Sequence, residues 1–208
     1  MPQVVKQNFC KLFADDSKLY GIKRKVGENS VQTDLSNMEQ WSKMWQLPFN
    51  ASKCKVLHIG SQNKGDHYHL NGQELEVSTF EKDLGVNIDN ELKFHVQSAS
   101  ATKKANQMLG VIKKSYMSRD AATITMLYKA MIRPHLEYGN AIWGPFYKGD
   151  IDLVEAVQHR VTKLIPHLRD KPYEERLRTL NLPSLVYRRQ CGNIINMYKA
   201  MNGLVRRD

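Results

Sequence analysis

A chain of 208 residues can bury a sizeable core in one or two domains, and 41% hydrophobic with 25% charged residues exclude general disorder. No apolar run approaches the roughly 18–20 residues that cross a bilayer. The start, MPQVVKQNFCKLF, lacks the apolar stretch of a signal peptide, so the expectation is an intracellular chain, nuclear or cytoplasmic, with no membrane partner. The net charge of +10 is unevenly placed. Residues 1–94 hold twelve basic and twelve acidic side chains, so the whole excess, nineteen basic against nine acidic, falls in residues 95–208. Such asymmetry fits an anionic partner, most simply a nucleic acid backbone, although a basic surface kept for solubility gives the same count. Cys10, Cys54 and Cys191 are too few for a disulfide framework and fit reduced thiols.

In chain order, Phe9 to Ala14 alternates like a strand, and Lys18 to Ile22 can return as its partner after Asp15-Asp16. Val31, Leu35, Met38, Trp41 or Ser42, and Trp45 recur at helical spacing up to Pro48, which places Trp45 in the core. Cys54 to Ile59 reads as a strand, Asn71-Gly72 as a hairpin turn, and FEKDLGVNID as one further strand. From about residue 95 the period is helical. The stripes are Ala105, Met108, Leu109, Ile112 and Tyr116; then Ile124, Leu127, Tyr128 and Met131, stopping at Arg133-Pro134; then Val154, Val157, Val161 and Leu164 or Ile165. Pro172 can open a short helix with Tyr173, Leu177 and Leu180. Ser184 can cap a last one bearing Cys191, Ile194, Ile195, Tyr198 and Met201, ended by Gly203. These stripes are expected to form a core.

Asp15 and Asp16 raise the chemical question. Two exposed acids in a turn cost little, yet at the tip of a hairpin the same pair suits a divalent cation that offsets their repulsion. Cys54, His58, His67 and His69 could be read as zinc ligands, but their spacing matches no standard zinc pattern. Lys23-Arg24-Lys25 is a short basic patch. Trp41 and Trp143 could stack on bases, and periodicity alone places neither.

Taken together, LFADDSKLY, LPFNASKCKVLHIG, FEKDLGVNIDNELKFHVQ, MLYKAMIRPHLEYGNAIWGP, LVEAVQHRVTKLI and YEERLRTLNLPSLVYRRQCGNIINMYKAMNG resemble, in order and spacing, the reverse transcriptases of LINE-type (non-LTR) retrotransposons over residues 9–203. The resemblance implies an α+β chain: a partial polymerase palm (a short antiparallel sheet with one helix) followed by an all-α, thumb-like helical region. It implies the C-terminal part of the palm at 1–67, a primer-grip-like hairpin at 68–94, thumb-like helices at 95–145 and a C-terminal helical region at 146–208. Asp15 would hold catalytic Mg²⁺ with Asp16 beside it, and Lys53 would lie near the incoming nucleotide. Gly85 would let the primer strand come close. Lys103, Lys104, Lys113 and Lys114 would meet the backbone of an RNA template and DNA primer duplex.

The family's site also needs an Asp from a strand upstream, and here only 14 residues, none acidic, precede Asp15. The resemblance therefore implies a fragment, two-metal nucleotidyl transfer in the intact enzyme, inactivity of this chain alone, and an upstream polymerase segment as a partner. The alternative is a non-catalytic nucleic-acid-binding module derived from such an element.

Overall fold

The computed structural model describes residues 2–22, 30–61, 63 and 65–204. Its mixed helix and strand content falls into two units, Met1–Glu81 and Lys82–Asp208. Lys23-Arg24-Lys25 lies outside the described residues.

In the first unit, Phe9–Phe13 (β1) and Asp16–Tyr20 (β2) pair antiparallel, Phe9 opposite Tyr20 and Phe13 opposite Asp16. The return strand starts earlier than its apolar residues suggest, because the loop is only Ala14-Asp15. Helix α1 (Ser30–Met44) turns Asp34, Met38 and Ser42 inward. It ends where Gln46 turns left-handed (φ 54°), with Leu47 N–H on Ser42 O (2.9 Å) and Gln46 N–H on Lys43 O (3.3 Å). That pattern satisfies the last carbonyls and carries the chain to Pro48.

Trp45 therefore lies past the helix end and is 62% exposed, against the expectation that it is core. Trp41 is half-buried, its ring 6.3 Å from that of Trp45.

Lys55–Leu57 (β3) pairs in parallel with Glu76–Ser78 (β6), while His69–Leu70 (β4) and Gln73–Glu74 (β5) form the Asn71-Gly72 hairpin. Both of its loop residues have positive φ, 52° and 75°, as the tight turn requires. Helix α1 grips this hairpin: the Gln32 amide donates to His69 O (2.9 Å) and accepts from His69 N–H (2.8 Å), and Glu39 accepts from Asn71 N–H (3.1 Å).

FEKDLGVNID forms two strands rather than one, Phe80–Asp83 (β7) and Val86–Asp89 (β8), turning at Leu84-Gly85. In the second unit, α2 (His95–Ser115), α3 (Ala121–Leu127), α4 (Arg133–Glu137), α5 (Lys148–Thr162), α6 (Tyr173–Thr179) and α7 (Leu185–Met201) follow. Tyr116, just past the end of α2 where the backbone turns extended, is exposed against expectation. Ala105, Leu109, Ile112, Ile124, Leu127, Tyr128, Val154, Val157, Val161 and Ile165 bury most of the predicted stripes in one core. Each such large aliphatic contributes about 1.5–3 kcal/mol. Val86, Ala101 and Trp143 form a smaller one.

The second predicted helix does not stop at Pro134. Residues Tyr128–Ile132 widen into a π turn and helical structure resumes at Arg133. Proline lacks an N–H and its ring clashes with the carbonyl four residues back, and a wider turn relieves both.

The stripe of α7 departs from expectation too. Ile194, Ile195, Tyr198 and Met201 are exposed and Cys191 is half-buried, so only the start of this helix, at Leu185, joins the core.

Candidate active-site hairpin and nucleic-acid interface

The two acids of the opening motif sit where the chain reverses. Ala14 and Asp15 are the whole β1–β2 loop, and Asp16 is the first residue of β2. Of the two loop residues only Ala14 has positive φ (52°), the pattern of a type II′ turn whose first position favours glycine. A left-handed alanine costs about 1–2 kcal/mol. Both carboxylates are exposed, and no hydrogen bond or ion pair within the described residues engages either one. Two adjacent oxygen-rich side chains without protein partners fit a hard divalent cation. On the Asp16 face of the hairpin lie Phe9, Phe13 and Tyr20, with Phe9 and Tyr20 stacked at 5.4 Å. On the other face Cys10 and Leu19 are half-buried, and β2 borders a cavity of about 300 Å³ lined also by Val31, Leu35, Met38 and Val56.

Lys53 ends a 3₁₀ turn, Ala51–Lys53, that Asn50 sets up: Asn50 O accepts Lys53 N–H (3.0 Å), and Ser52 Oγ donates to Asn50 Oδ1 (2.6 Å). The turn delivers Lys53 to solvent, with no hydrogen bond or ion pair to Asp15 or Asp16.

The zinc candidates do not converge. Cys54 Sγ donates to Asn50 O (3.3 Å), His67 Nδ1 meets Glu74, and His69 is held by Gln32 through its backbone. Burial pushes the Cys54 thiol up, away from the thiolate a metal needs. Among the described residues no three His, Cys, Asp or Glu side chains form a ligand group.

Gly85 has φ +87° and follows Leu84 at φ 44°, a type I′ pair. A Cβ on Gly85 would stand 3.2 Å from the Tyr138 ring, whose hydroxyl donates to Leu84 O (2.9 Å). The close neighbour of this glycine is thus a tyrosine of its own unit. Trp143 is buried, its indole N–H on Tyr138 O (2.6 Å) and the Arg189 guanidinium over its ring at 5.4 Å, so it is no free stacking platform.

Helix α2 carries no acidic residue, and all four candidate lysines on it are exposed. At 100° per residue, Lys103, Gln107, Gly110 and Lys114 share one face, with Lys104 and Lys113 on either side. The site of a Cβ on Gly110 is open space. The charged residues of this face are all basic, and Gly110 leaves it shallow at its middle.

Sequence reasoning passes over Asp34, which is fully buried beneath the hairpin. Its one signal is an acid on the inward stripe of α1, four residues before Met38.

Three relatives resemble the chain, all from Drosophila melanogaster. The RNA-directed DNA polymerase from mobile element jockey is 24% identical over 185 residues, 83% of this chain and 20% of the relative. The probable RNA-directed DNA polymerases from transposon BS and transposon X-element are 26% and 24% identical, over 81% and 66% of this chain and 19% and 16% of theirs. The chain thus spans about a fifth of the length of the curated relatives it matches. No family model and no solved structure matches it.

Proposed function

We propose that this distant relative of the LINE-type reverse transcriptases is the C-terminal palm and thumb of an RNA-directed DNA polymerase. Residues 1–67 supply palm, 68–94 the primer-side hairpin, 95–145 the thumb and 146–208 a C-terminal helical region. The observation that carries the reading is the tight two-residue turn setting Asp15 and Asp16 side by side, exposed and without partners among the described residues. Mg²⁺, when bound by these carboxylates, would stabilise the oxygens that attack and leave in nucleotidyl transfer. Lys53 stands ready for an anionic leaving group, and Lys103, Lys104, Lys113 and Lys114 take the phosphates of a template–primer duplex.

No acid precedes Asp15 in these 208 residues, so the further carboxylate of a two-metal site comes from sequence outside them. Without it, transition-state charge loses a stabilising partner, a deficit of about 3 kcal/mol or more, some hundredfold in rate. The test is primer extension on RNA with Mg²⁺, by the chain alone and with an upstream polymerase segment. Extension is expected only in the second case and is lost in Asp15→Asn. Extension by the chain alone refutes the predicted inactivity.

A second reading, a duplex-binding module without catalysis, is favoured by the confinement of the excess charge to residues 95–208. Salt-dependent duplex binding unaffected by Asp15→Asn, with no extension in either mixture, would select it.

A further inference from the structure

The carboxylate hairpin is poorly anchored by packing. Except for the half-buried Cys10 and Leu19, its strand residues are exposed, and the cavity of about 300 Å³ lies along β2. A two-stranded hairpin is marginal by itself. Yet the direction in which Asp15 and Asp16 project is set by how its base is held.

Among the described residues, one side chain gathers the backbone at the base of the hairpin. Asp34, fully buried on α1, accepts the backbone N–H groups of Lys6 (2.9 Å), Gln7 (3.0 Å) and Asn8 (2.9 Å), the three residues that lead into β1. It also accepts the side-chain amide of Asn8 (2.9 Å). The same Asn8 lies against Gly21, just past the end of β2: a Cβ there would stand 2.0 Å from Asn8 Oδ1 and 3.0 Å from Val31 Cγ2. Gly21 is therefore needed for space, since its φ is not among the positive ones. One carboxylate thus ties the entry of the hairpin directly, and its exit through Asn8, to a 15-residue helix.

We propose that Asp34, Asn8 and Gly21 form a clamp that positions the Asp15–Asp16 tip, Asp34 acting as a positioning residue. Four hydrogen bonds from the entry of the hairpin converge on this one carboxylate, with the Asn37 amide of its own helix a fifth at 3.5 Å, an uncommon concentration for a surface hairpin. An amide in its place offers one acceptor oxygen and turns an NH₂ toward the same donors. The clamp itself follows from geometry; its role in holding metal rests on the polymerase reading above.

Two measurements on the 208-residue chain separate those claims. The first is amide hydrogen exchange of residues 9–20. In Asp34→Asn these amides should exchange on the order of tenfold faster or more, while those of α2 and α5 are unchanged. Asn8→Ala, which keeps the backbone bonds, should give a smaller acceleration. Gly21→Ala should accelerate exchange in the wild-type background and far less in Asn8→Ala, where the Cβ has room. Unchanged hairpin exchange in Asp34→Asn, or additive effects of Asn8→Ala and Gly21→Ala, overturns the clamp. The second is Mn²⁺ titration followed by electron paramagnetic resonance. Binding that is lost in Asp15→Asn and roughly tenfold weaker in Asp34→Asn, whose tip carboxylates are intact, supports positioning. Binding of unaltered strength in Asp34→Asn overturns it. If neither the chain alone nor the chain with an upstream polymerase segment binds Mn²⁺ at the hairpin while the exchange results hold, the metal reading fails and the clamp stands.

Discussion

Replacing Glu155 should unseat the last helix. The Glu155 carboxylate, on α5, accepts Leu185 N–H at 3.0 Å and 3.2 Å and Val186 N–H at 3.2 Å, while Ser184 Oγ accepts Tyr187 N–H (3.2 Å). Together they satisfy the first three donors of α7, at the positive end of its dipole. The Tyr173 hydroxyl donates to the same carboxylate. Beyond this point α7 has few other attachments: Leu185 is buried, Arg188 binds Glu137 through two nitrogens, and the later apolar residues are exposed.

Glu155→Ala removes a charge-assisted bond set worth about 2 kcal/mol and a dipole interaction of about 1 kcal/mol. It also leaves the Tyr173 hydroxyl unpaired, so the expected loss is about 3–4 kcal/mol. For a chain of this size that lowers the midpoint by roughly 6–16 °C. Glu155→Gln keeps one acceptor and should lose about 1–2 kcal/mol. Urea unfolding followed by far-ultraviolet dichroism gives the stability, and amide exchange over residues 187–201 shows whether α7 detaches. Stability of Glu155→Ala within about 0.5 kcal/mol of wild type refutes the assignment.

Gly139→Ala should cost about 2–4 kcal/mol in urea unfolding, since φ is +68° and the new Cβ would stand 2.9 Å from the buried Val86; a loss below about 0.5 kcal/mol contradicts this. His159 has its pKa held below the ordinary value, first by burial and then by the Arg176 guanidinium, whose Nη2 lies 3.4 Å from Nδ1. The unfolded chain then takes the proton first, so this contribution is complete above about pH 6.5 and is lost as pH falls toward the folded pKa. Unfolding midpoints between pH 7.5 and 5.5 should fall less in His159→Gln, and parallel pH profiles would count against the assignment. Each of Lys103→Ala, Lys104→Ala, Lys113→Ala and Lys114→Ala that removes a phosphate contact should lower the slope of log K against log salt by about 0.9 for a B-form duplex; four unchanged slopes would move the interface elsewhere.

Periodicity finds the helices of the second unit because Val154, Val157, Val161 and Ile165 sit on a face that other helices cover. Cys191, Ile194, Ile195, Tyr198 and Met201 repeat just as regularly, and the exposure of all but the half-buried Cys191 is invisible to the pattern. A stripe states what a helix could bury; whether it does depends on neighbours elsewhere in the chain. Trp45 fails differently: it continues the α1 stripe on paper, but the left-handed Gln46 and the end of the helix at Met44 take it off that face. The carboxylate hairpin is legible from alternation and its acid pair, Asn71-Gly72 from turn chemistry alone. Asp34 shows only as an acid on the inward stripe of α1, because three of its partners are backbone N–H groups, which carry no side-chain signature.

The hairpin loops of two residues invite one comparison. At Asn71-Gly72 both residues are of types that tolerate positive φ, so local preference and fold agree. At Ala14-Asp15 and Leu84-Gly85 the first loop residue is an ordinary side chain forced to φ 52° and 44°, at about 1–2 kcal/mol each. Such conformations persist only where the surroundings over-determine them. Both loops have identifiable restraints: Tyr138 holds Leu84 O at the second, and Asp34 with Asn8 holds the base of the first. Local preference alone would select Gly or Asn at positions 14 and 84. That the chain instead keeps Ala14 beside its paired carboxylates, under a buried four-bond restraint, is the arrangement expected where side-chain direction matters more than turn stability.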